Sequence, residues 1–186
     1  NKSILITAGP TQEPIDPVRY LTNRSSGKMG YALAEAAVEA GAQVTLVSGP
    51  VNIEPPARCN LVSVKTAEEM LEAVMHHIKK KDIYIGTAAV ADYSPTKVEG
   101  SKIKKDRSNS PLVLEMKENK DILKEVSELE DKPYMVGFAA ETDDLLENAR
   151  KKLETKKLDL IIANDVSDKS IGFDSNENEV TLITSS

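Results

Sequence analysis

The sequence predicts a doubly wound, Rossmann-like α/β fold, a mostly parallel sheet with helices on both faces. Three observations carry that prediction. Short apolar runs of strand length alternate with longer stretches whose apolar residues recur at helical spacing. Small, polar or acidic residues follow most of the runs, as at the rim of a parallel sheet. The chain has 186 residues, a length for about one domain, with no internal repeat or low-complexity tract. Repeated strand–helix–strand units imply right-handed crossovers and parallel strands.

Residues 4–7 are an apolar run suited to a buried strand. Met29, Ala32, Leu33, Ala36, Ala37 and Ala40 follow at helical offsets, and Gly41 stands where a C-cap would. Residues 44–47 make the next strand and 61–65 a short third. Thr66 and Glu69 have the spacing of a capping box. They open a helix with Ala67, Met70, Leu71, Val74 and Ile78 on its inner stripe. Residues 83–85 form a strand ending in Gly86, and 112–116 read as another. Residues 121–129 suit a short helix with Ile122, Leu123, Val126 and Leu129 inward. Residues 134–138 are a buried strand. Thr142 or Asp143 caps a helix to about Lys156, with Leu146, Ala149 and Leu153 on one face. Residues 158–163 and 180–183 complete the strands. The proline-bearing stretch 50–56 is a loop and not a linker.

Composition narrows the function. Lys and Arg number 24 against 30 Asp and Glu, a net charge of −6. With 29% charged and 40% hydrophobic residues the chain is globular. An acidic chain argues against a general DNA or RNA binder, but leaves room for one nucleotide in a locally basic pocket. No run approaches 18 apolar residues, so no membrane span is expected, and the first apolar run is too short for a signal peptide. The missing initiator Met points to excision from a longer chain. One cysteine, Cys59, excludes an internal disulfide framework and fits the cytosol. Cys59 reads as structural, and His76 and His77 as surface residues. Without a G-x-S-x-G elbow or zinc-ligand spacing, hydrolase and metalloprotease readings fail.

Ligands of doubly wound sheets bind beyond the carboxyl ends of the strands. The residues there are 8–11, 48–50, 86–93, 139–142 and 164–167. The connection from Thr7 to Gly27 shows no regular pattern, and loops that long are often functional. It ends in Asn23-Arg24-Ser25-Ser26-Gly27-Lys28-Met29-Gly30. Opening a helix, this stretch is either an anion seat, most simply for phosphate, or an ordinary N-cap. It is neither a Walker A loop nor G-x-G-x-x-G, and Ser48 stands where a dinucleotide fold carries its ribose-binding acid. The run Lys102-Ile103-Lys104-Lys105 reads as a strand or flap with Lys102 and Lys104 on one face, or as a solvated charge run. Lys152 and Lys156 share a helix face. Asp92 and Asp121 are candidates for base recognition or metal contact, although no spacing fixes a metal site.

Taken in order, Ile6-Thr7-Ala8-Gly9-Pro10-Thr11, the 16–20 and 22–30 stretches, Ala88-Ala89-Val90-Ala91-Asp92-Tyr93, Lys102-Ile103-Lys104-Lys105, Gly137-Phe138-Ala139-Ala140-Glu141-Thr142 and Ala163-Asn164-Asp165-Val166 closely resemble phosphopantothenoylcysteine synthetase of the bacterial type. That family is commonly the C-terminal half of a bifunctional coenzyme A biosynthesis flavoprotein. The resemblance runs over nearly the whole chain. It implies that 4′-phosphopantothenate is activated by CTP to an acyl-cytidylate, releasing pyrophosphate, and that L-cysteine then captures the acyl group, releasing CMP. It further implies Mg²⁺, a homodimer, and cytoplasmic coenzyme A biosynthesis.

By the same resemblance, Asn23 contacts the acyl intermediate and Lys102 is the flap lysine needed for activation. Ser25, Ser26 and Gly27 lie at the phosphates. Ala88, Ala89 and Asp92 meet the nucleotide, joined by Lys120, Asp121, Ile122, Leu123, Phe138, Lys152 and Lys156. Relatives often carry Pro where Lys120 stands. Asp121 is the metal candidate. Residues 1–186 are expected to be a single synthetase domain, cut from a bifunctional chain and lacking a C-terminal helical tail. The flavin-dependent decarboxylase half is absent, so no flavin is expected on this chain. An oxidoreductase and a non-catalytic nucleotide-binding subunit are the competing readings.

Overall fold

Strand β1, Ser3–Ala8, takes the centre of the molecule because five of its six residues are buried. The computed structural model describes residues 1–105, 111–141, 145–165 and 180–184. After β1 come the short strands β2 (Gln12–Pro14) and β3 (Tyr20–Thr22), helix α1 (Lys28–Glu39) and strand β4 (Gln43–Ser48). Strand β5 (Asn60–Ser63), helix α2 (Ala67–His77) and strands β6 (Ile83–Gly86), β7 (Tyr93–Pro95) and β8 (Met116–Glu118) follow. Helix α3 (Ile122–Ser127), β9 (Tyr134–Glu141), α4 (Leu145–Thr155), β10 (Leu160–Asp165) and β11 (Val180–Thr184) complete the described elements.

The main sheet has the order β11-β10-β9-β6-β1-β4-β5. All its pairings are parallel except β10 with β11. The chain winds outward from β1 through β4 to β5. It then returns along α2 to lay β6 on the other side of β1. That reversal creates a switch point between β1 and β6, where doubly wound sheets hold their ligands.

Strand alternation divides the core. Ile4, Ile6, Val44 and Leu46 face α1, which contributes Tyr31, Ala34 and Val38. Leu5, Val47, Tyr84, Met135 and Ile161 face the opposite layer with Met70 and Val74 of α2, Val126 of α3 and Ala149 of α4. Leu5, Ile6 and Leu46 are wholly buried, each worth about 1.5–3 kcal/mol over exposure. Thr66 forms the predicted capping box, its hydroxyl accepting from Glu69 N while Glu69 reaches back to the Thr66 amide.

Several sequence expectations need correction. The buried stripe of α1 is Gly30, Tyr31, Ala34 and Val38, while Ala32, Ala36 and Ala40 face solvent. In an alanine-rich helix, Ala marks no face; the large Tyr31 and Val38 do. The patternless connection after β1 contains the β2–β3 hairpin. Residues 112–115 form no strand, and Leu112 and Val113 are 58% and 82% exposed. Only Met116 of that run enters β8, which pairs with β7 in a ribbon apart from the main sheet. Lys102 to Lys105 are irregular and not a strand. Leu146 is 53% exposed, although Ala149 and Leu153 turn inward as expected. Thr142, Asp143 and residues 166–167 lie outside the described residues.

Candidate functional site

Three backbones meet at the carboxyl ends of β1 and β4. Gly49, just after β4, lies so close to Pro10 that a Cβ there would stand 1.8 Å from the Pro10 carbonyl oxygen. Gly27 has φ +79 and lies against Gly9 and Val51. Gly27, and not a serine, is the N-cap of α1, and no side chain caps the helix there. Ser25 Oγ accepts instead from Gly27 N at 3.3 Å. The first turn of α1 carries no acidic residue. Its N–H groups and the positive end of its dipole therefore open beside Ser25 and Ser26, an arrangement suited to an anion. Ser48 Oγ is committed to the Gly49 carbonyl at 2.8 Å and the Tyr31 hydroxyl at 3.0 Å. With no acid at that strand end, the dinucleotide reading loses its ribose ligand.

On the other side of the switch point, a cleft of about 230 Å³ opens beyond β6 and β9. Its lining brings together Ala88 and Asp92 from the segment after β6, and Lys120, Asp121, Ile122 and Leu123 from the start of α3. Phe138 and Lys152 close it. Asp121 is the N-cap of α3, accepting from Lys124 N at 3.0 Å. Lys156 is absent from the lining but pairs with Asp121 at 2.7 Å. Burial pushes the Asp121 carboxyl up, yet the Lys156 ammonium, the Lys124 amide and the charge of Lys152 together hold it below the ordinary value. Lys152 Nζ donates to the Phe138 carbonyl at 2.7 Å. Lys152 thus stands in the cleft wall, with Lys156 behind it on Asp121, in a protein that is acidic overall.

The segment 87–92 forms the shared wall between cradle and cleft, and hydrogen bonds hold it throughout. Thr87 Oγ1 donates to the Thr7 carbonyl at 2.6 Å. Ala89, predicted beside Ala88, faces the cradle: its N–H donates to the Gly9 carbonyl at 2.9 Å. Ala91 N donates to the buried Thr11 hydroxyl at 2.9 Å. Asn23 Nδ2 donates to the Val90 and Ala89 carbonyls at 3.1 and 3.4 Å. The hairpin that delivers Asn23 is docked by Gln12 N on the Lys65 carbonyl and by the buried Glu13, which accepts from Ala67 N at 2.9 Å.

Lys102 lies elsewhere. It is exposed and lines a separate hollow of about 560 Å³ with Ile15, Ile103 and Leu114. None of the residues lining this hollow lines the cleft. The arm that carries Lys102 is pinned through its neighbour. Ile103 N donates to Asp16 and Ile103 O accepts from Arg19, at 3.1 and 2.8 Å. Asp16 is buried and also accepts from the Arg19 side chain and the Val18 and Arg19 amides. The Arg19 guanidinium holds the Asp16 carboxyl far below its ordinary value.

Sequence reasoning missed Thr7, Tyr84 and Asn119 in the cleft lining, while Gly86 falls in the stretch 86–93 that it singled out. Tyr84 is wholly buried, and burial pushes its phenol up despite a hydrogen bond with Thr7. A Tyr inside an apolar strand was the available signal. Among the described residues no group of three or more His, Cys, Asp or Glu side chains could hold a metal ion. Asp121, the metal candidate, already serves Lys156 and the α3 amide, so the donor set does not fit a resident Mg²⁺. No described helix is long and apolar enough to cross a membrane. Half-buried Cys59 has its thiol pushed up by burial, which fits a structural role.

The model of the DNA/pantothenate metabolism flavoprotein C-terminal domain matches residues 1–186. The coenzyme A biosynthesis bifunctional protein CoaBC of Vibrio vulnificus is 55% identical over 183 residues, covering 98% of this chain and 46% of the relative. Its namesake in Escherichia coli is 52% identical over 182 residues, covering 97% and 45%. The chain thus spans about half the length of the curated relatives it matches. A crystal structure of the C-terminal domain of a CoaBC protein superposes with TM-score 0.83 at 47% identity, covering 99% of this chain and 82% of that one. The fold also matches a Cab2 mutant in complex with phosphopantothenate-cysteine, with TM-score 0.81 at 18% identity, covering 98% and 76%.

Proposed function

Because the chain belongs to the family of the DNA/pantothenate metabolism flavoprotein C-terminal domain, we propose that it is the ligase domain of a bifunctional coenzyme A biosynthesis protein. It joins 4′-phosphopantothenate to L-cysteine at the expense of CTP. The observation that supports this best is the pairing, at one switch point, of an anion cradle with a cleft lined by Lys120 and Lys152, with Lys156 held beside it on Asp121.

The nucleotide lies in the cleft against Ala88, Asp92, Lys120, Asp121, Ile122, Leu123 and Phe138, with its phosphates towards Lys152 and Lys156. The cradle at Ser25, Ser26 and Gly27 takes further phosphate, and Ala89 lies between the two. A carboxylate oxygen of phosphopantothenate attacks the α-phosphorus of CTP. The α–β phosphoanhydride bond breaks and pyrophosphate leaves, giving an acyl-cytidylate. The cysteine amine then attacks the acyl carbon, loses a proton, and expels CMP. Activation moves negative charge onto pyrophosphate. Ammonium groups placed there stabilise it, one such group being typically worth about 10²–10³ in rate; Lys102, which lines a separate hollow within this chain, is the flap lysine that the family resemblance adds to them. Asn23 is neutral, so it can stand beside the acyl group without acting as a base, and its amide reaches the substrate by exchanging its bonds to the Val90 and Ala89 carbonyls. Mg²⁺, where CTP brings it, would be held by the substrate phosphates and would offset part of their charge. The domain works in the cytoplasm as a homodimer, fused to a decarboxylase half that carries the flavin.

Mass spectrometry of the reaction mixture tests this. Phosphopantothenoylcysteine is expected only when CTP, phosphopantothenate and cysteine are all present. Its absence from the complete mixture with folded protein would overturn the assignment.

A further inference from the structure

Asn119 lines the cleft where its two walls join, continuous in chain with the α3 wall and hydrogen-bonded to the wall after β6. It follows β8 directly and precedes Lys120 and Asp121, which begin the α3 wall. Its backbone N donates to the Asp92 carbonyl at 2.7 Å, extending the β7–β8 ladder by one rung towards the cleft. Its side chain bridges as well: Nδ2 donates to the Ala91 carbonyl at 2.8 Å, and Oδ1 accepts from the Ser94 hydroxyl at 2.7 Å. Ala91 and Ser94 are both buried. The Asn amide is thus used as donor and acceptor at once, which neither Asp nor Ala reproduces.

We propose that Asn119 is a positioning residue that fixes the separation of the two cleft walls and thereby sets nucleotide affinity. This rests on the ligase reading above. The segment 88–92 is held on its cradle side by Asn23 and Thr11. Asn119 is its counterpart on the cleft side. Replacing it orphans the Ala91 carbonyl in a buried setting, a loss that favours a shifted loop. Asp92 and Ala88 then present themselves to the nucleotide in the wrong place.

Steady-state kinetics of Asn119→Ala, Asn119→Asp and Ser94→Ala test the assignment, with the remote core variant Ile183→Val as a stability control. Asn119→Ala is expected to raise KM for CTP about tenfold, the size of one buried hydrogen bond. KM for phosphopantothenate should stay within about twofold. Ser94→Ala keeps the Nδ2 bond and should raise KM for CTP about two- to threefold. Ile183→Val should leave both constants unchanged. Amide hydrogen exchange supplies a readout without activity: protection of residues 88–92 should fall in the Asn119 variants and not in Ile183→Val. An unchanged KM for CTP in folded Asn119→Ala, or in Ser94→Ala should Asn119→Ala not fold, overturns the proposal. So does an equal rise in both KM values, or unaltered exchange. Failure of the unsubstituted protein to form product strikes at the ligase reading instead, and exchange then decides the positioning role alone.

Discussion

At Gly49 one methyl group governs whether the cradle can close. A Cβ would stand 1.8 Å from the Pro10 carbonyl oxygen and 2.8 Å from its carbon, and backbone on both sides cannot yield as a flexible side chain could. Gly49→Ala is expected to cost about 3 kcal/mol or more, whereas Gly41→Ala, with φ +83 and nothing within 4 Å, should cost only about 1 kcal/mol. Urea unfolding of both variants checks the contrast; equal losses would remove close approach as the reason for Gly49. The same residue shows what a sequence discloses at this scale. Asn23, Ser25 to Gly27, Asp92 and Lys120 to Leu123 lie in family motifs and could be singled out from spacing and resemblance. Asn119 could not, because its importance rests on contacts with Ala91 and Ser94, which only the fold brings near; Tyr84 stood out as a phenol in an apolar strand, but its partner Thr7 did not.

The elements follow the same division. Helix α2 was legible down to its cap because Thr66, Glu69 and a clean apolar stripe all point one way. The β2–β3 hairpin was not legible: each strand has three residues, and its register depends on docking to Lys65 and Ala67. The run 112–116 has strand composition but finds a partner only from Met116 onward. Beside the hairpin, the arm that carries Lys102 depends on Asp16. The folded carboxyl of Asp16 is depressed by Arg19 and by the amides of Ile103, Val18 and Arg19, against the pull of burial. Its stabilisation is therefore complete above the unfolded value of about 3.9 and is lost as pH falls through the folded value. Asp16→Asn should lower the urea midpoint at pH 7 and flatten its decline below about pH 4. Equal acid sensitivity in both proteins would show that the anchor contributes nothing.

Over the whole molecule, strand order and parallel direction place both candidate binding regions at one edge, a placement that alternation of strands and helices already foretold. How the arms are covered is a property no single chain displays. Val18, Tyr20, Tyr93, Val98, Leu112 and Val113 are all at least half exposed, on the hairpin and arm. The homodimer proposed above would cover these apolar groups. Light scattering should give twice the 20.3 kDa chain mass, with Val113→Asp shifting the protein towards one chain; a single-chain mass for the unsubstituted protein would contradict the dimer. The most direct measurement concerns the first half-reaction, exchange of labelled pyrophosphate into CTP. Exchange should require phosphopantothenate and proceed without cysteine. Exchange that ignores phosphopantothenate, or that begins only when cysteine is added, would contradict an acyl-cytidylate formed between cradle and cleft.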